Sequence, residues 1–356
     1  MKKNTLLSLI TCPLSMAYGL VVGVRSFLFN KNILHANTYP IPIICVGNLA
    51  VGGTGKTPHV EYLLRLLHHE GLRVAMLSRG YGRKTQGYIL ADNSKHTASD
   101  IGDEPYQMMQ NCPFATIAVC EKRTYGVEKL LQLKPQIEVI VLDDAYQHRY
   151  VKAGLNILLT DAHRLYTHDH LLPWGRLREC ASAAQRANVV IVTKCTENQK
   201  PFLPTLSYQT LYYSHISYNA PCGLTQGDAK ESTYQSQKVL LIAGVANPYP
   251  LMQHLQKQGA KVTLIKFPDH HTFSRKDAQR INQVWQQGHY TMAVTTQKDS
   301  VRLYAISDVL SASLIKHCVV QPITVEIENN KPNKQISFNQ YILNYVRTNK
   351  RNCKVD

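Results

Sequence analysis

The stretch Pro42-Ile43-Ile44-Cys45-Val46-Gly47-Asn48-Leu49-Ala50-Val51-Gly52-Gly53-Thr54-Gly55-Lys56-Thr57 constrains this chain more than any other. It reads as a short apolar strand, a glycine-rich loop and a helix that opens at Lys56. Glycines let the loop curl so that successive N–H groups point inward. With the positive end of the following helix they make a cradle for phosphate oxygens. In such a loop Lys56 reaches the β- and γ-phosphates and the Thr57 hydroxyl ligates Mg²⁺. Gly52, Gly53, Thr54, Gly55, Lys56 and Thr57 are therefore the nucleotide-binding candidates. The strict pattern asks for glycine where Ala50 stands, and Gly52 and Gly53 supply the flexibility instead. An ordinary Gly-rich βα turn is the weaker reading, because strand, loop and Lys-Thr helix follow in the right order.

A chain of 356 residues favours two domains over one. Lys and Arg outnumber Asp and Glu by 40 to 24, for a formal charge of +16, which favours anionic partners. No RNP-type aromatic pair or paired Cys/His zinc spacing is present, so the charge alone does not select nucleic acid, and none is expected as a partner. The nine cysteines are scattered without a C-x-x-C pair, which indicates reduced thiols and no disulfide framework.

Asn4 to Val24 carries no charge and is mostly apolar. As one helix it is about 30 Å long, close to the hydrocarbon thickness of a bilayer. A cleaved signal peptide lacks a small-x-small site here. A single span places Lys2 and Lys3 outside, against the positive-inside tendency. A bent, interfacial segment is helped by Pro13 and Gly19, and sets Arg25 and Lys31 against anionic headgroups. The reading is a membrane anchor over 1–30, with span and monotopic insertion both open.

Beyond the loop, Val60, Leu63, Leu64, Leu66 and Leu67 give one apolar helical face. Arg73–Leu77 reads as a strand whose carboxyl end delivers Ser78-Arg79-Gly80-Tyr81-Gly82-Arg83-Lys84. A basic, glycine-containing loop in that place suits a phosphate-bearing substrate or is a solvated turn. Asp103, in Gly102-Asp103-Glu104-Pro105, reads equally as a helix cap or a catalytic group. Phe114–Val119 is a further strand, followed by Lys122-Arg123. Val139–Leu142 runs into Asp143-Asp144, the arrangement by which such a protein places a Mg²⁺ partner opposite the loop threonine. His148 follows at the same end, and a lone histidine is usually structural. Leu155–Asp161 and Val189–Lys194 are the next strands, with the irregular basic loop Leu171–Glu179 between them.

The sequence divides as a kinase-like P-loop domain over 31–200, a linker with sheet strands over 201–237, and a second, smaller α/β domain over 238–356. The packing of the segment after about Gln340 stays open. The second domain begins with a βαβ unit, whose strand Val262–Ile265 delivers Phe267-Pro268-Asp269-His270-His271. No third metal ligand is spaced for that cluster, so one histidine is read as an orienting or proton-transferring group. Thr296-Gln297-Lys298-Asp299 bears only a loose likeness to base-reading loops.

Taken together, these motifs resemble the tetraacyldisaccharide 4′-kinases of lipid A biosynthesis. The matching pieces are Gly47-Asn48 to Thr57-Pro58, Ser78 to Arg83, Gly102 to Pro105, Asp143 to His148, Leu171 to Glu179, Ala243-Gly244 with Asn247-Pro248, Phe267 to His270, and Thr296 to Asp299. They span nearly the whole chain in the family's order. The resemblance implies a two-lobed α/β protein with its active site in the cleft between lobes. It implies transfer of the ATP γ-phosphate, with Mg²⁺, to the 4′-hydroxyl of a tetraacylated glucosamine disaccharide 1-phosphate, giving lipid IVA. It places the chain on the cytoplasmic face of an anionic bacterial inner membrane, with no obligate protein partner inferred. Carried over by position, Lys56 and Thr57 are the P-loop pair, and Asp143, Asp144 and Glu179 belong to the metal environment. Asp103 is the catalytic acid, with His270 (or His271) as its partner. His148 matches a further active-site position, and Arg79, Tyr81, Arg123 and Arg178 contact lipid or phosphate. The chain departs from the family at Ala145-Tyr146, Trp174 and Arg176. A membrane-attached ATPase or GTPase switch acting on a protein partner is the alternative.

Overall fold

The computed structural model describes residues 5–196, 199–224, 233–269, 271–329 and 336–352. His270 lies outside the described residues. The chain divides into two compact units, Met1–Ile216 with Val325–Asp356, and Ser217–Thr324.

The first unit opens with helix α1 (Thr5–Asn30), which continues through Pro13. Strand β1 (Ile43–Asn48) is buried at every position, as expected of an apolar run inside a parallel sheet. In α2 (Lys56–His69), Val60, Leu63, Leu64 and Leu67 recur at helical spacing and are buried. There follow β2 (Val74–Ser78), β3 (Ile89–Leu90), α3 (Ala98–Ile101), α4 (Asp103–Asn111), β4 (Thr116–Val119), α5 (Arg123–Leu133), β5 (Val139–Asp143), β6 (Leu155–Asp161), β7 (Val189–Thr193) and β8 (Thr210–Tyr218). The second unit holds β9 (Cys222–Gly223), β10 (Lys238–Ala243), α6 (Tyr249–Lys257), β11 (Lys261–Lys266), α7 (Arg275–Gly288), β12 (Met292–Thr296), α8 (Gln297–Tyr304), α9 (Ala312–His317) and β13 (Cys318–Gln321). The chain then returns to the first unit through β14 (Ile323–Asn329) and α10 (Phe338–Asn352).

The nine strands of the first sheet are ordered β14-β8-β7-β6-β1-β5-β2-β4-β3. From β8 to β4 all neighbours are parallel, and β3 pairs antiparallel with β4. β1 therefore lies between β6 and β5, with Val46 opposite Asp143. In an open parallel sheet the ligand crevice lies outside the carboxyl ends of the strands, where the order reverses. The carboxyl ends of β1, β5, β6 and β7 deliver the glycine-rich loop, Asp143, Asp161 and Thr193. The five strands of the second sheet are ordered β11-β10-β12-β13-β9, all parallel except β9.

The sequence-based limits 201–237 and 238–356 do not coincide with these units. β8, inside the proposed linker, is a strand of the main sheet, and residues 225–232 lie outside the described ones. α10 packs on the first unit. Its Phe338, Ile342 and Val346, spaced by four, share one buried cluster with Val60, Leu63 and Leu64 of α2. The Tyr345 hydroxyl donates to the Ile43 carbonyl at 3.0 Å, and the Tyr62 hydroxyl to Asn339 Oδ1 at 2.7 Å.

α1 is two-faced. Ile10, Leu14, Met16, Leu20, Val21, Val24 and Phe27 are exposed. On the other side the Ser15 hydroxyl donates to Leu171 O at 2.9 Å, Tyr18 to Arg178 O at 2.8 Å, and Arg25 Nη2 to Gln147 O at 3.1 Å. The stretch Ile10–Asn30 is long and apolar enough to cross a membrane.

Candidate active site

The loop between β1 and α2 bends through Gly52 at φ +110° and Gly55 at φ +84°, left-handed backbone that favours glycine. Asn48, buried at the end of β1, staples it from within. Its Nδ2 donates to Ala50 O at 2.6 Å and to Thr54 Oγ1 at 2.9 Å, and its Oδ1 accepts from Lys56 Nζ at 3.4 Å. One flank is tied to the 176–178 segment, with Val51 N donating to Arg176 O at 2.8 Å and Arg178 N to Leu49 O at 2.7 Å. Beneath the loop, His59 Nδ1 bonds Gly55 O at 2.7 Å and Nε2 bonds Ser214 Oγ at 2.9 Å. A carbonyl only accepts, so Nδ1 carries the proton and Nε2 accepts from the serine. Burial pushes this ring down to about 4 and keeps it neutral.

Two carboxylates close the other side. Asp143 ends β5 and accepts from the Ser78 hydroxyl at 3.1 Å. Burial, with the neighbouring charge of Asp144, pushes it up to about 6, against the pull of Lys56. Burial also opposes ionisation of Asp144. There the charges and hydrogen bonds of Lys56 and Arg178 win, and hold the carboxyl below the usual range. Lys56 Nζ lies 3.5 Å from Asp144 Oδ1, and Arg178 Nη1 lies 3.2 Å from each of its oxygens. Gly47 makes this approach possible. A Cβ there would stand 2.6 Å from Tyr146 Cβ and 2.9 Å from Tyr146 N, inside the turn that carries both acids.

Among the described residues no three His, Cys, Asp or Glu side chains gather into a metal cage. Mg²⁺ does not need one, since it keeps several waters and takes one or two carboxylates with substrate phosphates. Asp143 and Asp144 beside the opening turn of α2, where Thr57 stands, are such hard oxygen donors. A buried carboxylate whose ionisation a cation would favour fits that ion. Glu179, expected in the same environment, is buried and ion-paired with Arg186, whose guanidinium lies 4.7 Å over the Tyr146 ring.

The basic rim is assembled from several strand ends. Arg79 and the exposed Tyr81 stand on the loop after β2. That loop packs on the start of α4, because Gly80 and Gly102 leave no room for a Cβ. The first would meet Ile101 O at 2.8 Å, and the second Tyr81 O at 2.9 Å. Asp103 and Glu104 thus open α4 beside the basic loop, and the charge of Glu104 reaches Asp143. Arg123, at the start of α5, is buried and donates to Cys120 O and, at 3.3 Å, to Asp143 O. Burial lowers it to about 10, against the pull of Asp143 and Asp144. Burial also pushes His148 down to about 4, and the charges of Arg123, Arg79 and Arg25 add to the shift. These four groups share one electrostatic neighbourhood suited to an anionic acceptor.

In the second unit, the loop after β11 is held on both sides of position 270. Lys298 Nζ lies 3.7 Å from Asp269, Arg302 Nη1 donates to His271 O at 2.9 Å, and His271 bonds Asp277 at 3.0 Å. Asp299 is fully buried and accepts from Gly244 N at 2.9 Å and from the Thr296 hydroxyl at 2.8 Å. The Thr296–Asp299 motif thus braces its own unit.

Sequence reasoning missed Arg25 as a neighbour of the rim, Arg186 as the partner of Glu179, and Lys194, which donates to Gly53 O and to Asp161. A polar residue directly after a buried strand was the available signal for Lys194, as it was for Asp144.

A family model described as tetraacyldisaccharide-1-P 4′-kinase matches residues 7–340. A Bacteroides thetaiotaomicron tetraacyldisaccharide 4′-kinase is 45% identical over 361 residues, covering 96% of this chain and 93% of that protein. A Flavobacterium johnsoniae protein of the same name is 40% identical over 345 residues, covering 95% and 98%. Among solved structures, LpxK from Aquifex aeolicus in complex with ATP superposes with a TM-score of 0.73 at 26% identity, covering 95% of this chain and 98% of that one.

Proposed function

The chain belongs to the tetraacyldisaccharide-1-P 4′-kinase family, and from that premise we propose how its residues carry out the reaction. The protein is a phosphotransferase. It uses ATP with Mg²⁺ to phosphorylate the 4′-hydroxyl of a tetraacylated glucosamine disaccharide 1-phosphate in lipid A biosynthesis. The family match over residues 7–340 carries this reading and does not favour the switch alternative.

Phosphoryl transfer asks the protein mainly for position and charge. The curled loop and the start of α2 hold the triphosphate, and Lys56 steadies the γ-phosphate as charge develops on it. Asp143 and Asp144 with the Thr57 hydroxyl would hold Mg²⁺, which would supply charge neutralisation at the phosphates. Arg178 keeps Asp144 ionised and aimed. A sugar hydroxyl is a poor nucleophile, and the family likeness assigns Asp103 to take its proton during attack and His270 to assist that transfer. Arg79, Tyr81, Arg123 and His148 bind the acceptor's anionic end. The exposed apolar face of α1 sits in the cytoplasmic leaflet of the inner membrane, which supports access to a lipid acceptor.

The deciding assay gives the full-length protein γ-labelled ATP, Mg²⁺ and a lipid disaccharide monophosphate in mixed micelles. Label is expected in the lipid. Label released only as free phosphate overturns the kinase reading.

A further inference from the structure

Lys194 plays no part in the mechanism above, yet its backbone and its side chain are both committed to the glycine-rich loop. It follows β7 at φ +57°, a left-handed conformation unfavourable to a residue with a Cβ. The strand order β7-β6-β1 sets one strand end between Lys194 and the loop. The side chain crosses that gap. Its Nζ donates to Gly53 O and, at 2.7 Å, to Asp161 Oδ2 at the end of β6. Asp161 is itself fixed, with Oδ1 accepting from His163 N at 2.9 Å. Thr193, one residue earlier and buried, donates its hydroxyl to Thr54 O at 2.9 Å.

Two consecutive residues therefore grip two consecutive carbonyls of the loop. In a trans peptide the C=O and N–H point in opposite directions. Holding Gly53 O and Thr54 O from the β7 side turns the N–H groups of the same two peptides away from β7, where the Thr54 N–H closes on Gly52 O at 3.1 Å and steadies the turn. Asp161 offsets the charge of Lys194, so the ammonium adds little net field at the phosphates, and its effect there is geometric.

We propose that Lys194, aimed by Asp161, is a positioning residue for the nucleotide, locking the Gly53–Thr54 peptide from behind so that the loop is set for the triphosphate before it binds. This rests on the reading that the loop binds ATP. It adds a determinant of nucleotide affinity that lies outside the glycine-rich motif and touches no reacting atom.

The test is calorimetric binding of ATP with Mg²⁺ to the full-length protein, for the wild type, Lys194→Met, Lys194→Arg and Asp161→Asn. Melting temperatures without nucleotide and KM for the lipid acceptor are measured alongside. Lys194→Met is expected to raise Kd for ATP about tenfold or more, the scale of a lost charge-assisted hydrogen bond. The loss should persist at high salt, because it is geometric, while KM for the lipid and the melting temperature stay near wild type. Lys194→Arg, which keeps a donor, should restore most of the affinity, and Asp161→Asn should fall between. A folded Lys194→Met with wild-type Kd overturns the proposal. If that variant does not fold, wild-type affinity in Asp161→Asn overturns it instead. A wild type that binds no ATP overturns the kinase reading itself.

Discussion

Asp143 and Asp144 are adjacent in the chain and opposite in circumstance. The first is buried and pushed towards neutrality, while the second is held ionised by Lys56 and Arg178 and sits at φ +45°. Asparagine tolerates that backbone and alanine does not. Asp144→Asn should therefore escape the backbone cost, melt somewhat below the wild type because Lys56 and Arg178 lose their partner, and need about tenfold more Mg²⁺ for half-maximal activity. Asp144→Ala should lose about 1 kcal/mol in urea denaturation as well. Asp103→Ala and His270→Ala should each lower kcat about 10²- to 10⁴-fold in the lipid assay, and near-normal turnover in both removes the proton-transfer assignment. His59 makes a prediction about stability. Its folded pKa, about 4, lies below the ordinary 6.5. The stability it contributes is whole above pH 6.5 and is lost as pH falls towards 4, because only the unfolded chain takes up the proton there. Between pH 7 and pH 4 the wild type should lose about 3 kcal/mol more than His59→Gln, and equal losses in urea titrations count against the assignment. Lys56, Thr57 and the acid pair were recognisable as candidates because their spacing lies within single strand-loop segments. Arg186, Lys194 and Arg25 were not, since their partners are set by strand order and by where α1 docks.

The buried parallel strands were the most readable elements. Runs such as Val139–Leu142 and Val189–Val192 are apolar on both faces, and a strand covered on both sides must be so. The place of α10 was not legible in the sequence. A helix with apolar residues every three or four positions fits the core of either unit, and what selects the first is partner-specific. Phe338, Ile342 and Val346 meet the α2 side of the main sheet, and Tyr345 reaches the carbonyl of Ile43, at the start of the strand that feeds the glycine-rich loop. Ile342→Ala should cost about 2–5 kcal/mol. Its denaturant midpoint should fall without a change in slope, and ATP should protect it less against thermal inactivation. An unaltered midpoint means that α10 contributes little to the first unit.

Across the whole molecule, the excess of 40 basic over 24 acidic residues and the exposed apolar face of α1 favour the same kind of surface. Salt should weaken adsorption to anionic vesicles without abolishing it, since apolar insertion is not screened. The fold class was legible at this scale because it follows from the order of strands and helices. The limits of the units were not, because the chain leaves the first unit and returns to it. One consequence of the docked α1 concerns kinetics. Tyr18 bonds the Arg178 carbonyl, and the Arg178 amide bonds Leu49 at the base of the glycine-rich loop. The helix with the exposed apolar face is thus one residue removed from the glycine-rich loop. If α1 lies in lipid as proposed, enzyme and acceptor meet in two dimensions, and the concentration that matters is the acceptor's mole fraction in that surface. Adding neutral detergent at constant bulk acceptor should slow the reaction in proportion to the dilution. A rate that follows bulk concentration alone means that the protein draws its acceptor from solution.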